Sequence, residues 1–237
     1  MSGLSPLDLL SDLVADARKA GAEAADAVLI DSASLSVGMR LGALERLERA
    51  ESGDVGLRVL IGKRQAFVSS SDRSKAALAQ LVERAVAMAR AIPEDPFCGL
   101  ADPAELATAF PDLDVCDPQE PDAETLIGMV RSAEDAARSV SGVTNSEGAE
   151  AGWGRSGVAI VASNGFSHAY SVTSSSLSVS VLAGTNDQGM ERDYDYSSAV
   201  FLADLRAAEE IGHEAGRRAV RRFRSAQGSH QTGAGNL

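Results

Sequence analysis

The sequence predicts an α+β fold in which antiparallel β-meanders are flanked by helices and the order helix, sheet, helix occurs twice. Apolar residues recur at helical spacing in four segments, each bounded by a capping residue, a glycine or a proline. Between these segments lie two stretches in which short apolar runs alternate with polar residues and turn signals, as in antiparallel strands. A segment that holds six of the chain's seven prolines separates the two halves.

The first helix has clear boundary signals. Ser5 can accept a backbone hydrogen bond as the N-cap, Pro6 suits the first helical position, and Asp8 places negative charge in the first turn. Gly21 is a natural stop. The sequence therefore predicts a helix between Pro6 and Gly21 with one apolar face.

The rest of the first half reads as a meander followed by a second helix. Alternating runs between residues 24 and 71 predict three or four antiparallel strands, and residues 45–49 resemble a solvated strand or hairpin arm. Ser71 or Asp72 can cap the second helix, and Pro93 ends it.

The second half repeats this order. A helix is predicted from about Asp122 to Val140, followed by four β runs within residues 143–198. Asn164-Gly165, between two of these runs, is the strongest hairpin signal in the chain. A last helix is predicted over about residues 203–223.

This organisation divides the chain into four predicted segments. Residues 1–92 and 122–224 each form a helix, meander, helix unit, and residues 93–121 are a proline-rich connector between them. Residues 225–237 have no apolar period and are predicted to be a disordered tail.

Composition narrows the function classes. The chain has 237 residues and a net charge of −12, and such a field repels phosphate, which argues against broad nucleic-acid binding and against anionic membranes. The first apolar stretch contains Asp8 and Asp12, and acidic residues at these positions argue against a signal peptide. Cys98 and Cys116 are too few for a disulfide framework, and their role stays open. We expect a soluble protein of the reducing cytoplasm.

His213 and Glu214 form the pair most suggestive of chemistry. A zinc protease helix needs a second histidine about one turn further on, so that both imidazoles face one metal. The positions that follow offer Arg217 and Arg218, which do not bind zinc. The sequence therefore predicts a surface histidine on an amphipathic helix and assigns no catalytic, metal-binding or cofactor-binding residue.

Other motifs favour structural roles. The string at 152–157 matches GxGxxG, but the β-like run at 158–161 follows where a dinucleotide site needs a helix, so a glycine-rich turn is predicted. Ser174–Ser176 have no placed base and no GxSxG elbow. His168 lies on a predicted strand, and His230 lies in the predicted tail.

Two segments could bind partners. The arginine cluster within 217–224 suits the end of a helix or a partner contact better than nucleic acid, given the overall charge. Residues 171–180 alternate Val, Ser and Leu, and would add an extended peptide if they formed an edge strand. A central strand is the preferred interpretation, because one sequence does not show which strand is the edge.

An ordered set of segments carries a family resemblance. These segments are residues 56–60, 62–72, 81–90, 95–102, Glu147-Gly148, 161–166, 194–196 and 210–222. In this order and spacing, residues 5 to about 224 resemble the N-terminal half of the TldD/PmbA family, also called modulators of DNA gyrase. The resemblance is closer to the PmbA, or TldE, branch.

This resemblance implies a function that the residues alone do not. It implies the N-terminal region of one subunit of a heterodimeric, zinc-dependent peptidase of the bacterial cytoplasm, acting on small or unfolded peptides. The TldD-like partner would supply the zinc through an HExxxH helix, and Arg218 stands here where the second histidine would be. A non-enzymatic, gyrase-related binding protein and a self-sufficient metal enzyme using His213 and Glu214 remain as alternatives.

The family resemblance stops before the last residues of the sequence. Family members run to roughly twice this length, with a large β-rich C-terminal domain, whereas the match here stops after Phe223. We therefore expect that domain to be absent from this sequence, and truncation, frameshift and excerpt all stay open as explanations.

Overall fold

The computed structural model describes residues 5–187 and 189–233, with backbone only for 228–233. The predicted α+β class and the repeated order of helix, strands and helix are confirmed. The elements are α1 (Pro6–Lys19), β1 (Ala24–Arg40), β2 (Ala43–Ile61), β3 (Arg64–Ser70), α2 (Lys75–Ala91), α3 (Ala123–Ser139), β4 (Val143–Ala162), β5 (Ser167–Thr185), β6 (Gly189–Ala199) and α4 (Ala208–Gly233). Short 3₁₀ turns lie at Pro103–Glu105 and Leu202–Asp204.

All six strands belong to one antiparallel sheet. Its order is β3-β2-β1-β4-β5-β6, so each half of the chain contributes three consecutive strands, and β1 pairs with β4 at the centre. Ala25 and Ser163 are linked twice at this central pair, because the amide of Ser163 donates to the carbonyl of Ala25 and the amide of Ala25 donates to the Ser163 hydroxyl. The predicted meanders are thus halves of a single sheet.

The start of the first helix is confirmed, and that of the second is corrected. Ser5 caps α1, and Ser5 and Asp8 exchange side-chain-to-backbone hydrogen bonds in a capping box. The predicted cap of α2 at Ser71 or Asp72 is wrong, since Ser74 caps it. The Asp72 carboxylate instead accepts from the Ser74 amide and closes the turn before the helix.

The chain folds into two compact units that take non-contiguous segments. The first comprises the chain up to Ser32, Glu51–Asp114 and Ser156–Ser171, and the second comprises Ala33–Ala50, Val115–Arg155 and the chain from Val172 onward. The sequence predicted contiguous units instead. The difference arises because β1, β2, β4 and β5 are 17 to 20 residues long, so one strand supplies residues to both units.

The first unit has a core built from small and branched residues. Helices α1 and α2 bury Leu10, Leu13, Leu81 and Val86 against the strands. The strand residues of this core are Ala25, Ala27, Leu29, Val55, Leu57, Val59, Ala66, Val68, Ala159 and Val161. Buried positions alternate with more exposed ones over the first six residues of β1 and around Ala66 and Val68 of β3, which is the period-2 pattern of a sheet with one covered face.

In the second unit, α3 and α4 pack against each other at close range. Gly212 and Gly216 face Ala133, Ala137 and Val140, and neither glycine has room for a Cβ atom. The core strand residues of this unit are Leu35, Val37, Met39, Ala149, Ala151, Trp153, Leu177, Val179, Val181 and Ala183. The two glycines thus place α4 where its polar side can reach strand β6.

Two sequence predictions near this region are corrected. The glycine-rich string 152–157 lies inside strand β4 rather than in a turn, and Trp153, its second residue, is buried in the core and anchors it to the sheet. Helix α4 continues to Gly233, across the start of the predicted tail, and the Ser225 hydroxyl donates to the carbonyl of Arg221 within it. Asn164-Gly165 is confirmed as a turn, with Gly165 at φ 101°.

Candidate functional site

The His213-Glu214 pair lies on α4, and its carboxylate is held by cations. Glu214 accepts hydrogen bonds from Arg217 at 2.8 and 3.1 Å and from Arg218 at 2.9 Å. These hydrogen bonds, first from Arg217 and then from Arg218, lower the pKa of Glu214. Because His213 is exposed and Glu214 is engaged, the geometry describes a charged helix surface.

Arg218 also belongs to a second cluster around a buried carboxylate. Asp195 of β6 is 4% exposed and accepts hydrogen bonds from Arg206 at 2.7 Å and from Arg218 at 3.1 Å. The pKa of Arg206 is raised mainly by its hydrogen bond to Asp195, and that of Arg218 mainly by its hydrogen bond to Glu214. The cluster fixes the positions of both guanidinium groups beside β6.

Arg206 and Arg218, together with Arg222, also donate hydrogen bonds to backbone carbonyls of β6, and so cap this strand. Arg222 donates to the carbonyl of Arg192 at 3.1 Å, Arg218 to that of Tyr194 at 3.3 Å, and Arg206 to that of Tyr196 at 2.7 Å. These carbonyls belong to alternate residues, which all direct their backbone groups to one side of a strand. Since β6 is the last strand of the sheet, three arginines occupy acceptors along its outer edge.

This arrangement gives the arginine cluster a structural role that the sequence did not reveal. The sequence predicted a helix end or partner contact, whereas two of the three capping arginines, Arg218 and Arg222, lie on the side of α4 that faces β6. The remaining arginines, Arg221 and Arg224, line an open groove of about 670 Å³ together with Arg217, Val140 and Val220.

In the part of the chain that the structure describes, no group of three or more His, Cys, Asp or Glu side chains is arranged to bind a metal ion. Two guanidinium groups beside Glu214 would repel a zinc ion, so this position does not fit a zinc site. The engaged carboxylate of Glu214 therefore does not support a metal enzyme that uses His213 and Glu214.

The remaining histidines, the cysteines and the serine run do not form a catalytic arrangement among the described residues. His168 stacks on Phe110 with ring centroids 3.8 Å apart, and the side chain of His230 lies outside the described residues. Cys98 is buried and Cys116 is half-buried, and both are free thiols. Ser175, in the middle of the serine run, is 1% exposed and unsuited to attack a substrate.

Strand β5 is a central strand over most of its length. Residues Ser175–Thr185 pair with β6 on one side, and β4 lies on the other. The preferred interpretation of residues 171–180 as part of a central strand is confirmed for residues 175–180, and the peptide-binding edge strand is wrong for these paired residues. A partner peptide would have to displace β6 to reach them.

A buried carboxylate that sequence analysis missed lies on α3. Glu134 is fully buried and accepts hydrogen bonds from the amides of Leu41 at 2.7 Å and Gly42 at 2.8 Å, and from the Ser146 hydroxyl at 2.6 Å. Leu41 and Gly42 form the β1–β2 turn with φ of 52° and 78°. The detectable signal was an acidic residue four positions after Val130, within the apolar stripe of the helix.

No helix among the described residues is long and apolar enough to cross a membrane.

Two family models match the chain. One is the PmbA/TldA metallopeptidase domain 1, over residues 25–89, and the other is the PmbA/TldA metallopeptidase central domain, over residues 116–223. The chain is 34% identical over 203 residues to metalloprotease PmbA of Escherichia coli O157:H7, covering 85% of this chain and 45% of that protein.

A second curated relative has a similar identity to this chain. The metalloprotease PmbA homolog of Haemophilus influenzae is 33% identical over 209 residues, which are 87% of this chain and 46% of the homolog. The chain thus spans about half the length of the curated relatives that it matches.

Solved structures share the fold. A Bacteroides thetaiotaomicron protein that carries the name of a DNA gyrase modulator superposes with a TM-score of 0.82 at 24% identity, over 90% of this chain and 49% of that one. TldE from Thermococcus kodakarensis superposes with a TM-score of 0.74 at 14% identity, over 91% and 47%. The two family models and the identity to PmbA show that the chain belongs to the PmbA/TldD family of metallopeptidase-like proteins.

Proposed function

We propose that this chain is the N-terminal region of a non-catalytic, PmbA/TldE-like subunit of a heterodimeric zinc-dependent peptidase. The observation that carries the proposal is the state of the His213-Glu214 pair. Arg218 stands at the position of the second zinc-binding histidine of an HExxxH helix, and it holds the Glu214 carboxylate at 2.9 Å. A glutamate bound to two arginines is not free to polarise a metal-bound water.

In this proposal the zinc belongs to a TldD-like partner subunit. The present chain supplies a folded surface that pairs with the partner and limits access to the cleavage chamber. Substrates are small or unfolded peptides, and the complex works in the bacterial cytoplasm. The negative charge of the chain would favour peptides with basic residues near that surface.

The test is co-expression of this chain, carrying an affinity tag, with the TldD-like chain of the same organism. We expect the two chains to purify together, with zinc bound and peptide cleavage that a chelator abolishes. The chain alone should contain no zinc after dialysis against it. Failure to form a complex, together with unchanged cleavage by the TldD-like chain, would overturn the proposal.

A second candidate is a non-enzymatic modulator that binds gyrase. The name carried by two proteins of the same fold, from Bacteroides thetaiotaomicron and Thermotoga maritima, favours it. Direct binding of the purified chain to gyrase, unaffected by chelator and by the TldD-like chain, would support this candidate. Lack of binding at micromolar concentrations would remove it.

A further inference from the structure

The first half of strand β2 is an open sheet edge. Strand β3 pairs with β2 only over Val55–Ile61, and among the described residues no other strand lies beyond β2. Every residue from Ala43 to Ser52 is exposed, and Leu44 and Leu47 are 48% and 50% exposed. We call residues 43–50 of this strand the β2 arm.

The sequence of the β2 arm is complementary to itself in the antiparallel direction. When two copies run antiparallel with Leu47 opposite Leu47, Arg46 of each copy lies opposite Glu48 of the other, and Glu45 lies opposite Arg49. Leu44 then lies opposite Ala50. Opposite residues share a face of the sheet, so each of these pairs brings its side chains into contact range.

Neighbouring registers lack this match. In an antiparallel pair, two residues that lie opposite each other either both point their backbone N–H and C=O groups toward the partner strand or both point them away. When the two strands are identical, the two-fold axis must therefore pass through a residue pair and not between two pairs. An axis through Arg46 would oppose two arginines, and an axis through Glu48 would oppose two glutamates. Of these three registers, only the axis through Leu47 joins opposite charges.

We propose that the β2 arm pairs with the β2 arm of a second copy of this chain, about a two-fold axis at Leu47. The pairing extends the sheet across two chains and satisfies the backbone groups of an otherwise open edge. It goes beyond the proposed peptidase role, because it needs neither the TldD-like partner nor a substrate.

Existing ion pairs of the β2 arm are compatible with this pairing. Arg46 lies 3.3 Å from Glu150, and Arg49 is paired with Glu120, with the four side chains 45% to 64% exposed. Exposed pairs of this kind contribute little to stability, and a guanidinium has five N–H donors to share. Each arginine can therefore add a carboxylate of the second copy at small cost.

The test is the self-association of the full chain by sedimentation equilibrium, over about 5 to 500 µM, as suits a small interface. Arg46→Glu and Glu48→Arg each place like charges opposite one another twice, so each should weaken the dimer at least about tenfold. The double variant restores both pairs and should dimerise like the wild type. A mixture of the two single variants should form the mixed dimer.

Lys19→Glu is the matched control, since it changes the charge equally on an exposed residue of α1 and should leave the dimer unchanged. Circular dichroism and thermal unfolding establish that each variant is folded. A wild-type chain that stays monomeric throughout this range would overturn the proposal. So would single variants that dimerise like the wild type, or a double variant and a mixture that both stay monomeric. Because only this chain is used, these results leave the proposed peptidase complex to its own test.

Discussion

The second unit ends in two sheet edges of opposite character. Along β6, arginines from α4 and from the preceding loop occupy the carbonyls of Arg192, Tyr194 and Tyr196. Along the β2 arm, charged side chains contact Glu120 and Glu150 and leave the strand exposed on both faces. The comparison shows that side chains of a nearby helix can occupy one sheet edge, whereas the edge of the β2 arm stays exposed among the described residues.

The difference follows from how each strand is held. β6 lies beside α4, whose last two turns before Arg224 direct Arg218 and Arg222 toward it. The β2 arm is held at the β1–β2 turn, which Glu134 of α3 binds, and by the exposed ion pairs of Arg46 and Arg49. The backbone of the β6 edge is therefore bound by arginines at several positions, whereas the buried anchor of the β2 arm lies at the turn.

Removing the anchor of the β2 arm should give the largest effect. Glu134→Ala leaves two turn amides and the Ser146 hydroxyl without their acceptor in a buried site, which should cost about 3 kcal/mol in the free energy of unfolding. Urea denaturation measures it, and hydrogen exchange should show faster opening at Leu41 and Gly42. Asp135→Ala, on the exposed side of the same helix, is the control and should change stability by less than about 0.5 kcal/mol. Equal effects of the two substitutions would show that Glu134 is no anchor.

Removing the buried carboxylate of the β6 edge should come next. Asp195→Ala leaves Arg206 and Arg218 without their shared acceptor and should cost about 2 kcal/mol, less than a fully buried pair because both arginines reach solvent. Chemical denaturation gives the change in stability, and exchange of the β6 amides shows whether the edge loosens. Asp193→Ala, two residues away on the same strand, serves for comparison. A larger loss for Asp193→Ala would contradict the central role of Asp195.

Local signals predicted most of the secondary structure. Ser5 with Asp8 and Asn164-Gly165 act within a few residues of themselves, so the sequence was enough to place the first helix and the β4–β5 hairpin. The cap of α2 was missed because Ser71, Asp72 and Ser74 all have suitable side chains, and only the geometry shows that Asp72 serves the turn.

Features that depend on distant residues were not predictable in this way. The β1–β4 pairing joins Ala25 to Ser163, and no local pattern specifies which meander edges meet. The role of Glu134 depends on the amides of a turn more than ninety residues earlier in the chain. The arginine caps of β6 depend on the close packing of α4 on α3, which the glycines at 212 and 216 allow.

Acid should loosen the capped edge through Glu214. Its pKa is lower in the folded chain than the ordinary value of 4.5, so its interactions stabilise the fold above that value. This stabilisation is lost as the pH falls from 4.5 through the folded pKa. Glu214→Gln should therefore reduce stability at neutral pH and make the fall below pH 4.5 less steep, as measured by thermal unfolding against pH. An unchanged slope would show that the pairing of Glu214 with Arg217 and Arg218 does not contribute.

Removing the hydrogen-bond donor to one β6 carbonyl should have the smallest effect on stability. It also tests most directly whether the arginines close this sheet edge. Arg222→Met removes the donor to the Arg192 carbonyl from a side chain that is 58% exposed, so the free energy of unfolding should change by no more than about 0.5 kcal/mol. Arg221→Met is the matched control on the same helix, since its side chain lines the groove away from β6. Hydrogen exchange at β6 and sedimentation at high concentration should separate the two variants. If the arginine caps keep β6 from pairing with other strands, only Arg222→Met will increase self-association, and this increase will persist when Arg46→Glu has weakened pairing through the β2 arm.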